Sequence, residues 1–221
     1  MRHFIILFFF LVSSVALGQK HLIGIQGGLN LTNFSSNESF ENTTFRTGWI
    51  GGLTYDWLLN EKYRLGLDIL YAQRGIKDKF YLMDDNGVYT GEIKTEMNYD
   101  YLSFPLKLGY VFGNSVRLIP KIGIVPAFVM KAEITVPAFD GNGVITGWET
   151  VDHKDYVTQF DLGCIGELGV ETDLSERLIL CSSFSYKHSF TTFSNSGYFD
   201  GYQLRHYGFS VALGIKYRLD Q

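Results

Sequence analysis

The sequence predicts an all-β chain: an eight-stranded antiparallel up-and-down transmembrane β-barrel, preceded by a cleavable signal peptide. Three observations support this. Long segments alternate apolar with polar or small residues, the connections between them alternate in length, and charged residues keep to one face of the predicted strands. Because successive side chains of a strand point to opposite faces, this pattern describes a wall with one apolar and one polar surface.

The composition is that of a folded β protein. The chain has 221 residues, of which 46% are hydrophobic and 19% charged, and this balance argues against disorder. The 24 glycines and 16% aromatic residues suit a wall with crowded inner positions. The net charge is −4 and no basic stripe is present, so we expect no nucleic-acid partner.

Residues 1–18 are predicted to be a signal peptide, and residues 19–221 the barrel domain. Arg2 and His3 precede an apolar run over residues 4–12, and Ala16-Leu17-Gly18 fits a cleavage site before Gln19. The run is short for a membrane-spanning helix, although an N-terminal anchor helix is left as an alternative. We expect export to a bacterial outer membrane, with its lipid as a partner.

Three predicted strands precede the centre of the chain, over residues 21–31, 47–59 and 63–73. Their apolar positions are Ile23, Ile25, Leu29 and Leu31 in the first, Trp49, Leu53, Tyr55, Trp57 and Leu59 in the second, and Tyr63, Leu65, Leu67, Ile69 and Tyr71 in the third. The opposite positions carry glycine, threonine or charge.

The centre of the chain is a predicted hairpin of two strands, residues 99–112 and 116–131, around a turn at 113–115. Its even positions are apolar: Leu102, Phe104, Leu106, Leu108, Tyr110 and Phe112, then Val116, Leu118, Pro120, Ile122, Ile124, Pro126, Phe128 and Met130. Its odd positions mix charges with small residues. Pro105, Pro120 and Pro126 cannot donate to a neighbouring strand, so we expect bulges or breaks there.

Three more strands follow, over residues 157–171, 176–188 and 204–219. Their apolar positions are Phe160, Leu162, Cys164, Leu168 and Val170, then Leu178, Leu180, Phe184 and Tyr186, then Tyr207, Phe209, Val211, Leu213, Ile215, Tyr217 and Leu219. Cys181 lies on the opposite face from Cys164, so we expect no disulfide.

Strand length and connection length indicate a membrane barrel. The predicted strands are longer than the roughly 5–6 residues usual in globular proteins and reach the roughly 9–11 that a tilted membrane strand needs. Residues 60–62, 113–115 and 172–175 are short turns, whereas residues 32–46, 76–98, 135–156 and 189–203 form long polar connections. No helix-period segment remains to cover the apolar face.

The charged residues decide which face points inward. We expect these side chains in the barrel interior: Asp56, Arg64, Asp68, Arg74, Lys107, Arg117, Lys121, Lys131, Glu133, Asp161, Glu167, Glu171, Arg177, Lys187, Lys216 and Arg218. A basic side chain at the bilayer midplane costs about 2–4 kcal/mol, so the inverted arrangement is far less stable. A soluble barrel, with its charges outside, is the alternative.

The lipid-facing set is then Trp49, Leu67, Ile69, Phe104, Leu106, Ile122, Phe128, Leu162, Leu180, Phe184, Phe209 and Leu213. Eight strands enclose a space that side chains just fill, so we expect paired interior charges and a closed bore. Bases outnumber acids in the interior set, and this excess could attract an anion, unless the surplus bases lie at the rims in water.

Candidate sites for chemistry are few. His188, Ser189 and Ser185 lie near one strand end, with His206 on the next strand, but sequence alone identifies no orienting acid. An outer-membrane enzyme acting on lipid or peptide therefore stays an alternative to a non-enzymatic role. Possible calcium loops from Asp84 and Asp140 lack the required glutamate, and we expect no metal or cofactor.

The long connections are the places where a partner could bind. They combine acidic residues, including Glu92, Glu149 and Asp152, with aromatic residues that we expect to be exposed, including Tyr81 and Trp148. Loops on a rigid scaffold commonly carry binding sites, so a surface ligand or an envelope protein could be captured there. The sequence leaves the oligomeric state open.

Three segments resemble the PorT-like outer-membrane β-barrel family of the Bacteroidota: GIQGGLNLTNF (24–34), YLSFPLK (101–107) and DLGCIGELGVE (161–171). The resemblance extends over essentially all of residues 20–219 and implies the barrel fold and the outer membrane. The family takes its name from a protein of the type IX secretion and gliding machinery, so the resemblance adds a component of that machinery as a third possible role.

Overall fold

A computed structural model of the chain describes residues 20–37, 43–83, 87, 89–141, 145–195 and 202–219. Its antiparallel strands are β1 (His21–Ser36), β2 (Thr44–Leu58), β3 (Tyr63–Met83), β4 (Tyr89–Ser103), β5 (Leu106–Tyr110), β6 (Val116–Phe139), β7 (Ile145–Asp152), β8 (Phe160–Asp173), β9 (Leu178–Ser189) and β10 (Leu204–Leu219). The proposed signal peptide lies outside the described residues. In the described part of the chain, no helix has the length and apolar character needed to cross a membrane.

The strands close into a ring. The order β2-β1-β10-β9-β8-β6-β4-β3 is completed by pairing of β2 with β3. β5 continues the position of β4, since both lie between β3 and β6, and β7 pairs only with β6. The wall therefore has the eight predicted positions, which nine of the described strands build, while β7 lies outside the ring.

The two faces of the wall alternate as the sequence predicts. Large apolar side chains are exposed on the outside, and Ile122, at 70% exposure, is the extreme. Of the predicted lipid-facing set, Phe104 and Leu162 are half-buried, whereas Trp49, Leu67, Ile69, Leu106, Ile122, Phe128, Leu180, Phe184, Phe209 and Leu213 are exposed. Cys181 is buried on the inner face, Cys164 is half-buried on the outer face, and both are free.

The prolines break strand pairing on one side of β6. The Phe104 N–H donates to the Pro126 carbonyl at 2.8 Å, and the Leu118 N–H to the Phe112 carbonyl at 2.8 Å, so even-numbered backbone groups of β6 face β4 and β5. Pro120 and Pro126 lack an N–H toward that side. Accordingly β4 ends before Pro105, and the β5 ladder stops short of Pro120 and resumes only as one bridge.

The opposite side of β6 is unaffected by its prolines. Pairing with β8 runs without a shift from Val116 opposite Thr172 to Phe128 opposite Phe160. The expected local breaks therefore occur in the pairing with β4 and β5, while β6 itself stays continuous.

A β-bulge corrects the predicted interior positions of Lys131 and Glu133. Asp100 pairs with Lys131 and Tyr101 with Val129, so β6 holds one extra residue, Met130. Met130 and Lys131 are both exposed, and beyond them the inward parity changes, with Ala132 buried. Lys131 forms an ion pair with Glu133 at 2.8 Å outside the barrel.

Arg177 is a second correction. The strand that was expected to begin at residue 176 begins at Leu178, and Arg177 lies in the preceding turn. Its exposed guanidinium donates to the outward-facing Tyr217 hydroxyl at 3.0 Å. Arg177 therefore belongs to the outside rim, because a turn does not keep the alternation of a strand.

Two of the predicted long loops are largely strands. β3 and β4 pair as far as Met83 opposite Tyr89, and β6 and β7 pair as far as Phe139 opposite Ile145. Together these segments make a four-stranded sheet that continues the wall past the ring on one side; we call it the rim sheet (residues 76–83, 89–99, 132–139 and 145–152). The end of the barrel that carries it is the long-loop end, and the opposite end is the short-turn end.

Candidate functional site

The interior of the barrel is a network of ion pairs. Glu171 on β8 accepts from Arg64 at 2.6 Å and from Lys216 at 2.8 Å, and all three side chains are buried. Lys216 also pairs with Asp56 on β2. Each of these residues occupies an inward position of its own strand, so the alternation of four strands brings them together.

The network continues toward the middle of the barrel. Lys121 lies 3.6 Å from Asp56 and 3.2 Å from Glu167, and Lys107 lies 2.9 Å from Glu167 and 2.5 Å from Asp68. Asp56 and Glu167 are each shared between two cations, and Asp68 pairs with Lys107 alone among the described cations. Few charges are therefore left unpaired in a place where an unpaired charge is costly.

Exposed ion pairs lie at the short-turn end. Arg117 donates to both oxygens of Asp173 at 2.9 and 2.7 Å, and Arg218 reaches the same carboxylate at 3.2 Å. Arg117 and Arg218 therefore lie at the inner rim, in contact with water, as ends of the interior network.

A separate cluster surrounds Asp161 nearer the long-loop end. Arg74 donates to Asp161 at 2.5 Å, and the hydroxyls of Ser189 and Thr191 donate to it at 2.8 and 2.7 Å. The Arg74 guanidinium lies 4.3 Å from the centre of the Tyr101 ring, a cation–π contact. The sequence indicated the inward positions of Arg74 and Asp161 but gave no sign that they meet.

Phe193 fills the bore above this cluster. Its ring stacks on His206 with centroids 4.2 Å apart, lies 5.2 Å from Tyr99 and 6.1 Å from Phe34, and is buried. Around it the inner wall is apolar at this level, with Ile76, Ala127, Val129, Ala132, Val157 and Leu204 in one buried cluster.

The connection after β9 holds Phe193 in place through its backbone. The Phe193 N–H donates to the Leu204 carbonyl at 2.8 Å, and its carbonyl accepts from Thr158 at 2.8 Å. The Phe193 plug was missed by sequence reasoning, because this connection is rich in serine and threonine and reads as a polar loop. A lone aromatic residue opposite an inward histidine was the only available signal.

The serine and histidine candidates do not form a catalytic arrangement. Ser189 bonds to Asp161, Ser185 shares a 2.8 Å hydrogen bond with Ser210, and His188 contacts the Tyr186 hydroxyl at 3.4 Å. Both ring nitrogens of His206 lack a hydrogen-bond partner among the described residues. Nucleophilic catalysis needs a serine–histidine hydrogen bond, and the described residues contain none.

The space left inside is small. A cavity of about 20 Å³ lies among Arg74, Asp161, Lys187 and His206, and one of about 10 Å³ lies on the other side of Lys187. Each has room for about one water molecule. Between Phe193 and the ion-pair network the described bore is thus filled by side chains. At the short-turn end a larger cavity of about 630 Å³ opens, lined by inward residues that include Leu22, Arg64 and Ile179.

The structure places the predicted interior residues as follows. Asp56, Arg64, Asp68, Lys107, Lys121, Asp161, Glu171 and Lys216 are buried inside, Arg117 lies at the short-turn end, and Glu167 and Lys187 are half-buried on the inner face. Three predicted interior charges lie outside instead: Arg177 is at the outer rim, and Lys131 and Glu133 follow the bulge.

The rim sheet is the other candidate binding surface. β7 pairs with β6 on one side, and no described strand pairs with its other side. Trp148 on β7 is 55% exposed, and Phe139, Ile145 and Val151 are also exposed. Glu149, Asp152 and Asp155 give this region an acidic character. An unpaired strand with exposed aromatic side chains is a ready template for another chain.

Residues 17–195 match a family model described as "Outer membrane protein beta-barrel domain". The chain belongs to this family. Membership places the barrel in the bacterial outer membrane, in agreement with an apolar outer face that no described element covers. No curated protein matches the chain.

Several solved outer-membrane barrels are similar in fold. OprG from Pseudomonas aeruginosa has 13% sequence identity and a TM-score of 0.49, with 91% of this chain and 96% of that one covered. Ail from Yersinia pestis, solved with the heparin analogue sucrose octasulfate, has 13% identity and a TM-score of 0.42, covering 90% and 99%. The protease OmpT from Escherichia coli has 10% identity and a TM-score of 0.40, covering 92% and 98%.

Proposed function

We propose that this outer-membrane barrel has a structural or surface-interaction role, and that a partner binds at the unpaired side of β7 in the rim sheet. The observation that carries the proposal is a strand with one free side, held above a bore that is filled with side chains. Main-chain groups along such a strand can pair with an extended segment of another protein.

The side chains of β7 indicate the kind of partner. Trp148 supplies an exposed aromatic anchor, and Glu149 and Asp152 supply negative charge on the same strand. We therefore infer an extended segment with basic residues, from an envelope protein or from a surface encountered outside the cell. Aromatic residues commonly dominate the free energy of such interfaces.

Photo-crosslinking in cells tests this proposal. A crosslinking amino acid at Trp148 is expected to yield a discrete protein adduct, whereas the same amino acid at Leu213, on the lipid-facing wall, is expected to yield none. The proposal fails if heat-modifiable, surface-located protein gives no adduct from any β7 position. A matched variant with Trp148→Ala and a crosslinker at Thr150 should lose most of the adduct.

The cellular setting has its own test. We propose cleavage after Gly18, supported by the apolar run and the small residues before Gln19. N-terminal sequencing of the mature protein should begin at Gln19. Folded protein should migrate differently on a gel before and after heating, and recovery of folded protein from the soluble periplasm would contradict the membrane assignment.

Two further roles are weaker. We propose a relationship to the PorT-like family of the Bacteroidota on the basis of the three resembling segments. No described feature favours a place in the type IX machinery. Co-purification of secretion subunits would argue for such a place. An enzymatic role has little support, because the serine and histidine residues are not hydrogen-bonded to each other and the adjoining cavity has about the volume of one water.

A further inference from the structure

Lys187 differs from the other cations inside the barrel. It lies on β9 at an inward position between Ser185 and Ser189, opposite Ile165 on β8 and Gly208 on β10. Arg64, Arg74, Lys107, Lys121 and Lys216 all form ion pairs. Lys187 forms none with any described residue, so its ammonium group has no fixed counter-charge.

The charge balance of the bore points to the same residue. Below Phe193, the cations of the interior and inner rim are Arg64, Arg74, Lys107, Arg117, Lys121, Lys187, Lys216 and Arg218, and the acids are Asp56, Asp68, Asp161, Glu167, Glu171 and Asp173. Every acid is already paired with another cation. Of these cations, Lys187 is the one that pairs with none of the described acids, and an unpaired charge in the interior is costly.

A second unsatisfied group faces the same place. His206 is buried, and neither of its ring nitrogens has a hydrogen-bond partner among the described residues. His206, Lys187 and Arg74 line the cavity of about 20 Å³. Asp161 also lines it, but its oxygens already accept from Arg74, Ser189 and Thr191. The Lys187 ammonium and the His206 ring thus bring donors to this cavity that an acceptor inside it would satisfy.

We propose that this cavity holds one small monovalent anion of the halide class, bound between Lys187 and His206 with Arg74 close by. A halide accepts from an ammonium and from an imidazole N–H, and it neutralises the surplus positive charge. A water molecule also accepts hydrogen bonds but leaves that charge uncompensated. The volume, about that of one water, excludes phosphate and sulfate.

The location of the site determines how the ion enters. Phe193 covers the cavity from the long-loop end, and the ion-pair network closes it from the short-turn end. Supplying the ion during folding avoids dependence on either end of the bore as an entrance. Experiments must supply the anion while the barrel refolds.

The test uses the full mature protein, refolded from urea into detergent micelles in sodium gluconate with increasing bromide at constant ionic strength. The midpoint of unfolding by heat is expected to rise with bromide and then to saturate. Lys187→Met should remove the dependence on bromide, whereas Lys62→Met, which removes one exposed charge from a turn, should leave it unchanged.

Crystals grown from bromide provide a measurement that does not depend on any variant. An anomalous peak within hydrogen-bonding distance of the Lys187 ammonium is expected. A water at that position without anomalous signal, together with a midpoint that does not respond to bromide, overturns the proposal. If Lys187→Met does not fold, the anomalous signal of the unaltered protein still decides.

Discussion

The strongest quantitative prediction concerns Glu171, whose carboxylate joins Arg64 and Lys216 inside the barrel. Glu171→Gln keeps the shape and removes the charge. At an effective dielectric constant of about 20, each contact contributes about 4 kcal/mol of Coulomb energy before the desolvation of the carboxylate is subtracted. The amide still accepts one hydrogen bond, but Arg64 loses its acid partner. We expect a loss of about 3–5 kcal/mol in the free energy of unfolding.

Asp173 gives a matched control, because it lies two residues further along β8 and also accepts from an arginine. Its side chain is 40% exposed, compared with 2% for Glu171. Asp173→Asn should therefore cost less than about 1 kcal/mol. Reversible urea unfolding in lipid vesicles, followed by tryptophan fluorescence, measures both. We expect the contribution of an ion pair to stability to depend on its burial. Equal losses of unfolding free energy for the two variants would refute this expectation.

Three other changes have defined outcomes. Phe193→Ala should weaken the docking of the connection after β9 by about 3 kcal/mol. The undocked population of this connection should then rise roughly a hundredfold, which limited proteolysis would detect as faster cleavage there. Leu213→Arg, at a position 64% exposed near the middle of β10, should cost about 2–4 kcal/mol in vesicles, whereas Leu213→Ala should cost less. Burial lowers the pKa of His153, which lies outside the wall, so the folded state favours the neutral ring. Stability should therefore fall as the pH drops through about 6.5. His153→Gln should abolish that part of the decrease in the unfolding midpoint.

The faces of the wall were predictable because alternation is a property of a single strand. Ile122 and Lys121 needed no information about neighbours: one had to face lipid and the other the interior. The even number of wall positions followed from the same alternation together with the short turns. The breaks at Pro105, Pro120 and Pro126 were predictable in kind, since a missing N–H has the same effect in any sheet.

Features that depend on pairing between strands were not predictable. The bulge at Met130 is defined by the mismatch with β4, and nothing in its own segment distinguishes it. The rim sheet was taken for loops because strands outside the membrane no longer need an apolar face. The Asp161 cluster joins β3, β8 and β9, and no spacing along the chain connects them.

The interrupted pairing beside β6 gives this closed wall a weak line. A ring of strands has no free end at which to fray, so we expect an early opening where prolines interrupt the pairing, between β4/β5 and β6. Amide protons along that line should exchange with solvent before those of the β6–β8 ladder. Since the bore is filled between Phe193 and the ion-pair network, we expect this opening to move the wall sideways, toward the lipid, and not to open a path along the barrel axis.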